Sequence, residues 1–375
     1  MNDLAINIKD RASYPILLRN NFADLGQAAA SLPDMQGRKI CIVSDSKVAH
    51  LYLDTVRDAL SEDFDNITSF VFPEGEENKT LQTVQDLYQY LILKGFERGD
   101  VLAALGGGVT GDLTGFAAAT YLRGIRFIQI PTSLLAQVDS SIGGKTGVDF
   151  RGYKNMVGAF HHPVLVYSCS EALMSLQPRD YRSGMGEIIK HGLIRDRDYY
   201  QWLKDHVSVL WSPDSYKQQT YAMLTEMVLR SDRIKQAVVE NDPEEKGERA
   251  ILNFGHTIGH AIEKYAYESM SHGMCVSVGM KAAAWISEER GIISPEDYDD
   301  ICHTLHELYQ LPVSARFLRT EKNISAEEIL QTTKSDKKME KGHVKMILLD
   351  QIGHAVICHD VSDQEILAAI EEILA

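Results

Sequence analysis

The chain has 375 residues, of which 44% are hydrophobic and 24% are charged, a composition typical of a globular protein with a sizeable core. Because a single core rarely grows past about 250–300 residues, the length predicts two domains. A formal net charge of -15 argues against nucleic acids and anionic membranes as partners. The five cysteines lack CxxC spacing and are interpreted as buried thiols in a reducing cytoplasm. The first residues predict no signal peptide, and no stretch approaches transmembrane length.

Strands and helices alternate through the first half of the chain. Short strands predicted at 4–8 and 14–18 form a lead-in hairpin. The elements predicted next are a strand at 39–43, a helix at 47–60, a strand at 67–72, a helix at 80–94 and a strand at 101–105. This alternation predicts a parallel sheet covered by helices on both faces, with ligands at the carboxyl ends of its strands.

Glycines follow the strand at 101–105 and precede a helix predicted at 113–122. Such an arrangement lets backbone N–H groups at a helix N-terminus approach a phosphate or pyrophosphate. The next strand, 125–130, ends just before Thr132 and Ser133, which can cap a further helix. On its own this glycine turn is a weak signal, because many such turns serve only packing.

A second glycine pair, 143–144, leads to Lys145, and Lys154 and Asn155 come shortly after. Two glycine turns followed by lysines indicate an anionic ligand laid across the end of a sheet. Asp45 also stands at a strand end, although a helix N-cap is the commoner use of Ser-Asp-Ser.

The pattern becomes mostly helical after Pro163 and stays so until about residue 317. We therefore predict an α/β nucleotide-binding domain over 1–162 and a mainly helical domain over 163–375. Near the end, apolar runs at 344–350 and 354–360 predict a small hairpin, and 362–374 predicts a closing helix.

The helical half contains residue types that bind metal ions. His256 and His260 lie four residues apart on one predicted helix face, and His272 follows. Upstream, Glu187 and Lys190 share another helical face. A carboxylate with imidazoles can form a three-ligand site with open positions, as in catalytic zinc centres. Spacing alone leaves the His256/His260 pair as an alternative choice of ligands, and such a pair is more often structural.

Longer strings carry a much more specific signal. They are GGGVTGDLTGF, YLRGI, IPTSLLAQVDSSIGGKTGV, YKNMVGAFHHP, GMGEIIKHGLI and RAILNFGHTIGHAIE. Together they resemble the 3-dehydroquinate synthase family of the sugar phosphate cyclase superfamily. The resemblance implies a Rossmann-like NAD-binding domain followed by a mainly α-helical metal-binding domain. It also implies a homodimer, in which Arg123 reaches the neighbouring subunit's substrate phosphate.

The resemblance assigns roles to individual residues. Implied metal ligands, for Zn²⁺ or Co²⁺, are Glu187, His256 and His272. Implied NAD-binding residues are Asp45, Glu76, Lys79, Gly106, Gly107, Gly108, Val109, Asp112, Thr132, Ser133, Asp139, Lys145 and Lys154. Implied substrate-binding residues are Arg123, Asp139, Lys145, Lys154, Asn155, Lys190, Lys235, Arg249, Asn253, His260, His272 and Lys338, the last preferred to Lys337. Implied catalytic residues are His260, Lys145, Lys190 and Asn253. For Glu76 and Lys79 the alternative is a solvated turn.

The implied reaction converts 3-deoxy-D-arabino-heptulosonate 7-phosphate into 3-dehydroquinate and phosphate, in the shikimate pathway. It proceeds by transient oxidation, β-elimination, reduction and an intramolecular aldol closure. A metal-dependent polyol dehydrogenase is one alternative, although such enzymes typically have an aspartate where Glu187 stands. Another sugar phosphate cyclase and a non-catalytic metal- and nucleotide-binding protein are the others.

Overall fold

The structure is a computed structural model that describes residues 3–8, 13–151, 153–211, 218–266, 269–335, 339–340 and 343–375. It divides into two compact units. Unit 1 comprises Met1–Leu176 and Leu224–Glu244, and unit 2 comprises Gln177–Met223 and Glu245–Ala375. The sequence predicted a single division after residue 162. In the structure unit 1 runs further and includes a second segment, which carries Lys235.

The strands and helices have the following bounds. The strands are β1 (Asp3–Ile6), β2 (Tyr14–Arg19), β3 (Ile40–Asp45), β4 (Ile67–Phe72), β5 (Val101–Gly106), β6 (Arg126–Pro131), β7 (Lys145–Phe150), β8 (Tyr153–Phe160), β9 (Leu165–Cys169), β10 (Met339–Glu340), β11 (His343–Val344), β12 (Met346–Gln351) and β13 (His354–Cys358). The helices are α1 (Leu25–Ala30), α2 (Ser46–Ser61), α3 (Leu81–Leu93), α4 (Gly108–Thr120), α5 (Ser170–Leu173), α6 (Pro178–Arg195), α7 (Arg197–Asp205), α8 (Val207–Leu210), α9 (Gln218–Asn241), α10 (His256–Ala266), α11 (His272–Glu289), α12 (Pro295–His303), α13 (Arg316–Thr320), α14 (Ala326–Ser335) and α15 (Asp363–Leu374). Short 3-10 turns lie at Glu76–Asn78, Tyr121–Arg123 and Glu248–Asn253, and π-helical turns at Ala136–Ser140 and Thr304–Leu308. No helix in the described ranges combines the length and the apolar character that crossing a bilayer requires.

Unit 1 is organised around a seven-stranded sheet in the order β1-β2-β9-β6-β5-β3-β4. All neighbours run parallel except the β1–β2 hairpin, which is antiparallel. The predicted α/β class and the lead-in hairpin are thereby confirmed. The strands β3, β5 and β6 end together at one edge, which is where ligands of such sheets bind.

The central strands bury both faces, as their continuous apolar runs predict. Along β3, Ile40 and Ile42 belong to one hydrophobic cluster with residues of α1 and α2. The alternate residues Cys41 and Val43 belong to a second cluster with residues of α3 and α4. Side chains alternate across a strand, so one sheet holds two cores.

The β7–β8 hairpin has no counterpart among the predicted elements. Its strands pair antiparallel from Lys145 opposite Phe160 to Phe150 opposite Tyr153. Most of β8 is exposed, so its sequence lacks the apolar periodicity by which strands are recognised.

Unit 2 is mainly helical, as predicted, and contains the expected terminal hairpin, β12 with β13. Helix α11 packs against α6, α10 and α15. The closing helix α15 begins with a capping box, in which Ser362 and Glu365 satisfy each other's backbone N–H groups.

Asp232 on α9 is fully buried, and neither of its carboxylate oxygens has a hydrogen-bond partner within the described part of the chain. Burial raises its pKa well above the ordinary value, although nearby Lys235 opposes this. The folded chain therefore keeps a proton that the unfolded chain releases above about pH 4, so stability falls as the pH rises through that window.

An Asp232→Asn variant should be free of this dependence. We expect its free energy of unfolding, relative to the parent, to rise by up to about 1.4 kcal/mol per pH unit between pH 5 and pH 8. Urea unfolding at several pH values measures this difference. A constant difference across the range would contradict the burial of an acid at this position.

Candidate active site

Three helices of unit 2 approach each other closely at the proposed metal ligands. A Cβ on Gly273 of α11 would lie 1.9 Å from the carbonyl oxygen of Ser183 on α6. A Cβ on Gly279 of α11 would lie 1.9 Å from the carbonyl oxygen of Gly255, just before α10. Any side chain at these two positions would force the helices apart. The glycines therefore allow Glu187, His256 and His272 to meet.

The carboxylate of Glu187 lies at the centre of this meeting point. Its Oε1 is 3.5 Å from Nε2 of His256 and 3.6 Å from Nε2 of His272. Glu187 is fully buried, and Oε1 has no hydrogen-bond partner within the described residues. Ligands held about 2.0–2.2 Å from one tetrahedral Zn²⁺ lie about 3.4 Å apart, so these atoms fit around a shared cation.

The other imidazole nitrogens are held by the protein. Nδ1 of His256 donates to the carbonyl oxygen of Phe254 at 3.1 Å, and Nδ1 of His272 donates to Oε2 of Glu263 at 3.1 Å. These bonds leave both Nε2 atoms facing Oε1 of Glu187, which is the usual orientation of metal-binding histidines. The sequence analysis missed Glu263. Its position on the same helix face as His256 and His260 is the signal that could have identified it.

A Glu263→Gln variant should weaken metal binding about 10- to 100-fold, because it removes the charged acceptor that orients His272. Competition with a chelator measures this affinity. An affinity within about twofold of the parent would show that Glu263 does not support the ligand.

His260 lies beside the same group. Its ring centroid is 5.2 Å from that of His256 and 5.6 Å from that of His272. The nitrogens of these three histidines also lie within 4.8 Å of one another, which is a second possible ligand set. Both sets share His256 and His272, so the choice between Glu187 and His260 remains a proposal.

Electrostatics favours a cation at this point. Burial alone would raise the pKa of Glu187, but Lys190 and the two imidazoles hold it well below the ordinary value. Burial lowers the pKa of His256 well below its ordinary value, so this imidazole is neutral, as a metal ligand must be. Burial also acts to lower the pKa of His272, but Glu187 and Glu263 outweigh it and raise that pKa to about 10. A metal ion binding here has to displace this proton.

The other proposed residues of unit 2 contribute basic and amide side chains. Lys190 is buried and donates to Oε2 of Glu187. Arg249 is buried in the 3-10 turn at Glu248–Asn253, and Nδ2 of Asn253 donates to Oε1 of Glu245 at 2.8 Å. Lys337 and Lys338 lie outside the described residues.

In unit 1, the glycine turn lies between β5 and α4. A Cβ on Gly106 would be 2.4 Å from Oγ1 of Thr110, and one on Gly107 would be 3.3 Å from Oγ of Ser133. Helix α4 starts at Gly108 without a side-chain cap, so its first N–H groups are suited to an anion. Val109 and Asp112 follow in its first turns. Ser133 caps the next helical turn by accepting from Ala136 N at 3.2 Å, as its position predicted.

Asp45 lies at the end of β3 and forms the N-cap of α2, accepting from Val48 N at 2.9 Å. Its second carboxylate oxygen accepts from Thr110 Oγ1 at 3.3 Å. The alternative interpretation of Ser-Asp-Ser as a helix cap therefore holds, and the implied contact of Asp45 with NAD stays a prediction. Thr132 is buried beside Gly106, to whose carbonyl oxygen its N–H donates at 3.0 Å.

Lys79 is at the centre of a second group of polar residues in unit 1. It is 3% exposed, and its Nζ donates to Oδ2 of Asp112 at 2.7 Å and to Oδ1 of Asn155 at 2.6 Å. Burial alone would lower the pKa of Lys79, but Asp112 and Glu76 outweigh it and raise that pKa. A solvated turn is therefore the wrong interpretation for Lys79.

Asp139 and Lys235 form a third group in unit 1. Asp139 lies on the π-helical turn at Ala136–Ser140, and its backbone oxygen and Oδ1 both accept from Nζ of Lys235. Lys145 and Lys154 on the β7–β8 hairpin are exposed, as is Arg123.

Comparison with known proteins shows the family to which the chain is related. The family models for the 3-dehydroquinate synthase N-terminal and C-terminal domains match residues 69–183 and 184–339. A 3-dehydroquinate synthase of Nitrosospira multiformis is 42% identical over 349 residues, covering 93% of this chain and 91% of the relative.

Solved structures of sugar phosphate cyclases have a similar fold. A 2-deoxy-scyllo-inosose synthase complexed with carbaglucose-6-phosphate, NAD⁺ and Co²⁺ is 26% identical, with a TM-score of 0.86 over 99% of this chain and 100% of that one. A 2-epi-5-epi-valiolone synthase from Streptomyces hygroscopicus subsp. jinggangensis, with NAD⁺ and Zn²⁺ bound, is 25% identical, with a TM-score of 0.85 over 98% of each chain.

The fold is thus that of the sugar phosphate cyclases, with an α/β sheet unit and a mainly helical unit. Within that class, the chain belongs to the 3-dehydroquinate synthase family.

Proposed function

We propose that this chain converts 3-deoxy-D-arabino-heptulosonate 7-phosphate into 3-dehydroquinate and inorganic phosphate. It is then a phosphate-eliminating carbon–oxygen lyase of the shikimate pathway, which leads to chorismate and the aromatic amino acids. The observation that carries this function is the buried Oε1 of Glu187, which faces two oriented imidazole nitrogens in a chain of this family.

Two bound groups are needed for the reaction, NAD and Zn²⁺ or Co²⁺, as in the relatives crystallised with them. When bound, they accept and return one hydride and polarise the substrate hydroxyl groups. Glu187, His256 and His272 would hold the cation. The N–H groups at the start of α4 would bind the cofactor pyrophosphate. Asp45 would contact the adenosine ribose of the cofactor.

The remaining residues bind the substrate and move protons. Lys145, Lys154 and Arg249 would bind its phosphate and carboxylate, and a lysine ammonium is a suitable point charge for phosphate. His260 would take the proton of the C5 hydroxyl, because an imidazole can exchange protons near neutral pH. The leaving phosphate can itself remove the proton for β-elimination, so the protein need not supply that base.

A homodimer and a cytoplasmic location belong to the same proposal. Arg123 is exposed, so its guanidinium is accessible to a second subunit. All five cysteines are free thiols, which suits a reducing compartment.

The fate of the cofactor tests this function. A catalytic amount of NAD⁺ should support many turnovers of heptulosonate phosphate, with phosphate released in step with substrate loss, because the hydride returns to C5. Phosphate and NADH absorbance are followed together in one assay. Steady accumulation of NADH without phosphate would instead identify a polyol dehydrogenase.

A further inference from the structure

Asp149 lies where the β7–β8 ladder is interrupted. Val148 pairs with Val157 and Phe150 pairs with Tyr153, so a single β7 residue stands opposite three residues of β8. Such a bulge leaves backbone groups without ladder partners. Oδ1 of Asp149 accepts the backbone N–H of Asn155 at 2.8 Å, which satisfies one of these groups.

Asn155 has a φ of 49°, in the left-handed region that non-glycine residues rarely adopt. Asparagine tolerates this region better than most residues, but a cost remains. The hydrogen bond from its N–H to Asp149 offsets that cost. In this conformation Oδ1 of Asn155 accepts from Nζ of Lys79 at 2.6 Å.

The backbone of Asp149 contacts a different segment. Its N–H donates to the carbonyl oxygen of Lys79 at 2.8 Å, and it forms a parallel bridge with Thr80. Lys79 follows the 3-10 turn that carries Glu76. The side chain of Asp149 therefore holds the turn at Asn155, while its backbone holds the segment at Lys79.

We propose that Asp149 is a positioning residue that couples the cofactor-side segment at Lys79 to the substrate-side turn at Lys154 and Asn155. The proposal rests on the proposed function and on the roles that the family resemblance implies. These are NAD binding at Lys79 and substrate binding at Lys154 and Asn155, with Lys154 also assigned to NAD. In this role Asp149 acts through Asn155 and Lys79, with which its side chain and backbone are hydrogen-bonded.

Two substitutions of Asp149 distinguish a positioning role from a general effect on stability. Asp149→Ala keeps the backbone contact with Lys79 but frees the turn at Asn155, whose Oδ1 accepts from Nζ of Lys79. It should therefore raise both the KM for heptulosonate phosphate and the Kd for NAD⁺ by about tenfold, the equivalent of one net hydrogen bond. Asp149→Asn keeps an oxygen acceptor and should stay within about threefold on both constants. Phosphate release gives KM, and calorimetric titration gives the Kd for NAD⁺ without turnover.

A double-mutant cycle tests the backbone argument. Glycine adopts a φ near 49° at no steric cost. In an Asn155→Gly background, Asp149→Ala should therefore change KM by less than about threefold. The control is Asp54→Ala, which removes an exposed carboxylate on α2 that is paired with Arg57, and it should change neither constant.

Several results would overturn the proposal. One is an Asp149→Ala variant in which only one of KM and Kd changes, or neither. Another is an Asp149→Asn variant with constants as impaired as those of Asp149→Ala. A third is an effect of Asp149→Ala on KM that is as large in the Asn155→Gly background as in the parent. A parent protein that releases no phosphate would reject the proposed function instead. The NAD⁺ titrations then still decide whether Asp149 supports the cofactor side.

Discussion

A Glu187→Gln variant is expected to lose its metal and at least about 10³-fold in kcat. Glutamine keeps the shape of the side chain but removes the negative charge that faces both imidazoles and Lys190. Polarisation by a metal ion contributes several kcal/mol to the transition state, and each 1.36 kcal/mol corresponds to about tenfold in rate. Metal content after gel filtration and the rate of phosphate release measure the two losses.

The matched control is Glu289→Gln at the exposed end of α11, the helix that begins with His272. It should keep full metal content and activity. His260→Ala should also keep its metal, because His260 belongs only to the alternative ligand set. Full occupancy in Glu187→Gln together with loss in His260→Ala would establish the three-histidine set instead.

The sequence was sufficient for the parts of the fold that are buried on both sides. Strands β3 and β5 are buried, largely apolar runs at the centre of the sheet, and both lie where the sequence predicted strands. The β7–β8 hairpin could not be predicted in this way. Its outer strand exposes large side chains such as Tyr153, and the ladder is interrupted at Asp149. Its pairing depends on contacts with distant residues such as Lys79, which no local pattern contains.

The candidate metal centre shows a similar limit. Helical spacing placed His256 and His260 on one face, but it carried no information about Glu187. Whether Glu187 meets the histidines depends on how closely α6 and α11 approach, and this is set by Gly273. Only the family resemblance indicated Glu187 as a metal ligand. Asp232 could have been found from the sequence, because it falls on the buried face of α9 with Val228 and Leu229.

Lys235→Met is expected to raise the KM for heptulosonate phosphate about 10- to 100-fold, since hydrogen bonds to charged groups contribute about 1.5–3 kcal/mol. Lys235 is buried, and its Nζ holds both the backbone oxygen and the carboxylate of Asp139. The variant therefore removes a proposed substrate cation and also releases the π-helical turn that carries Asp139. Lys235→Arg should not restore binding, because the planar guanidinium cannot replace a compact ammonium in a buried position.

Arg233→Met on the same helix is the matched control. Arg233 carries the same charge but is exposed, so its loss should leave KM unchanged. Thermal unfolding of both variants separates misfolding from weakened binding. A folded Lys235→Met variant with the KM of the parent would remove Lys235 from the substrate site. A similar rise in KM for Arg233→Met would instead indicate a general effect of net charge on an anionic substrate. Repeating the assay at high salt distinguishes the two, because screening weakens only the long-range effect of the exposed charge.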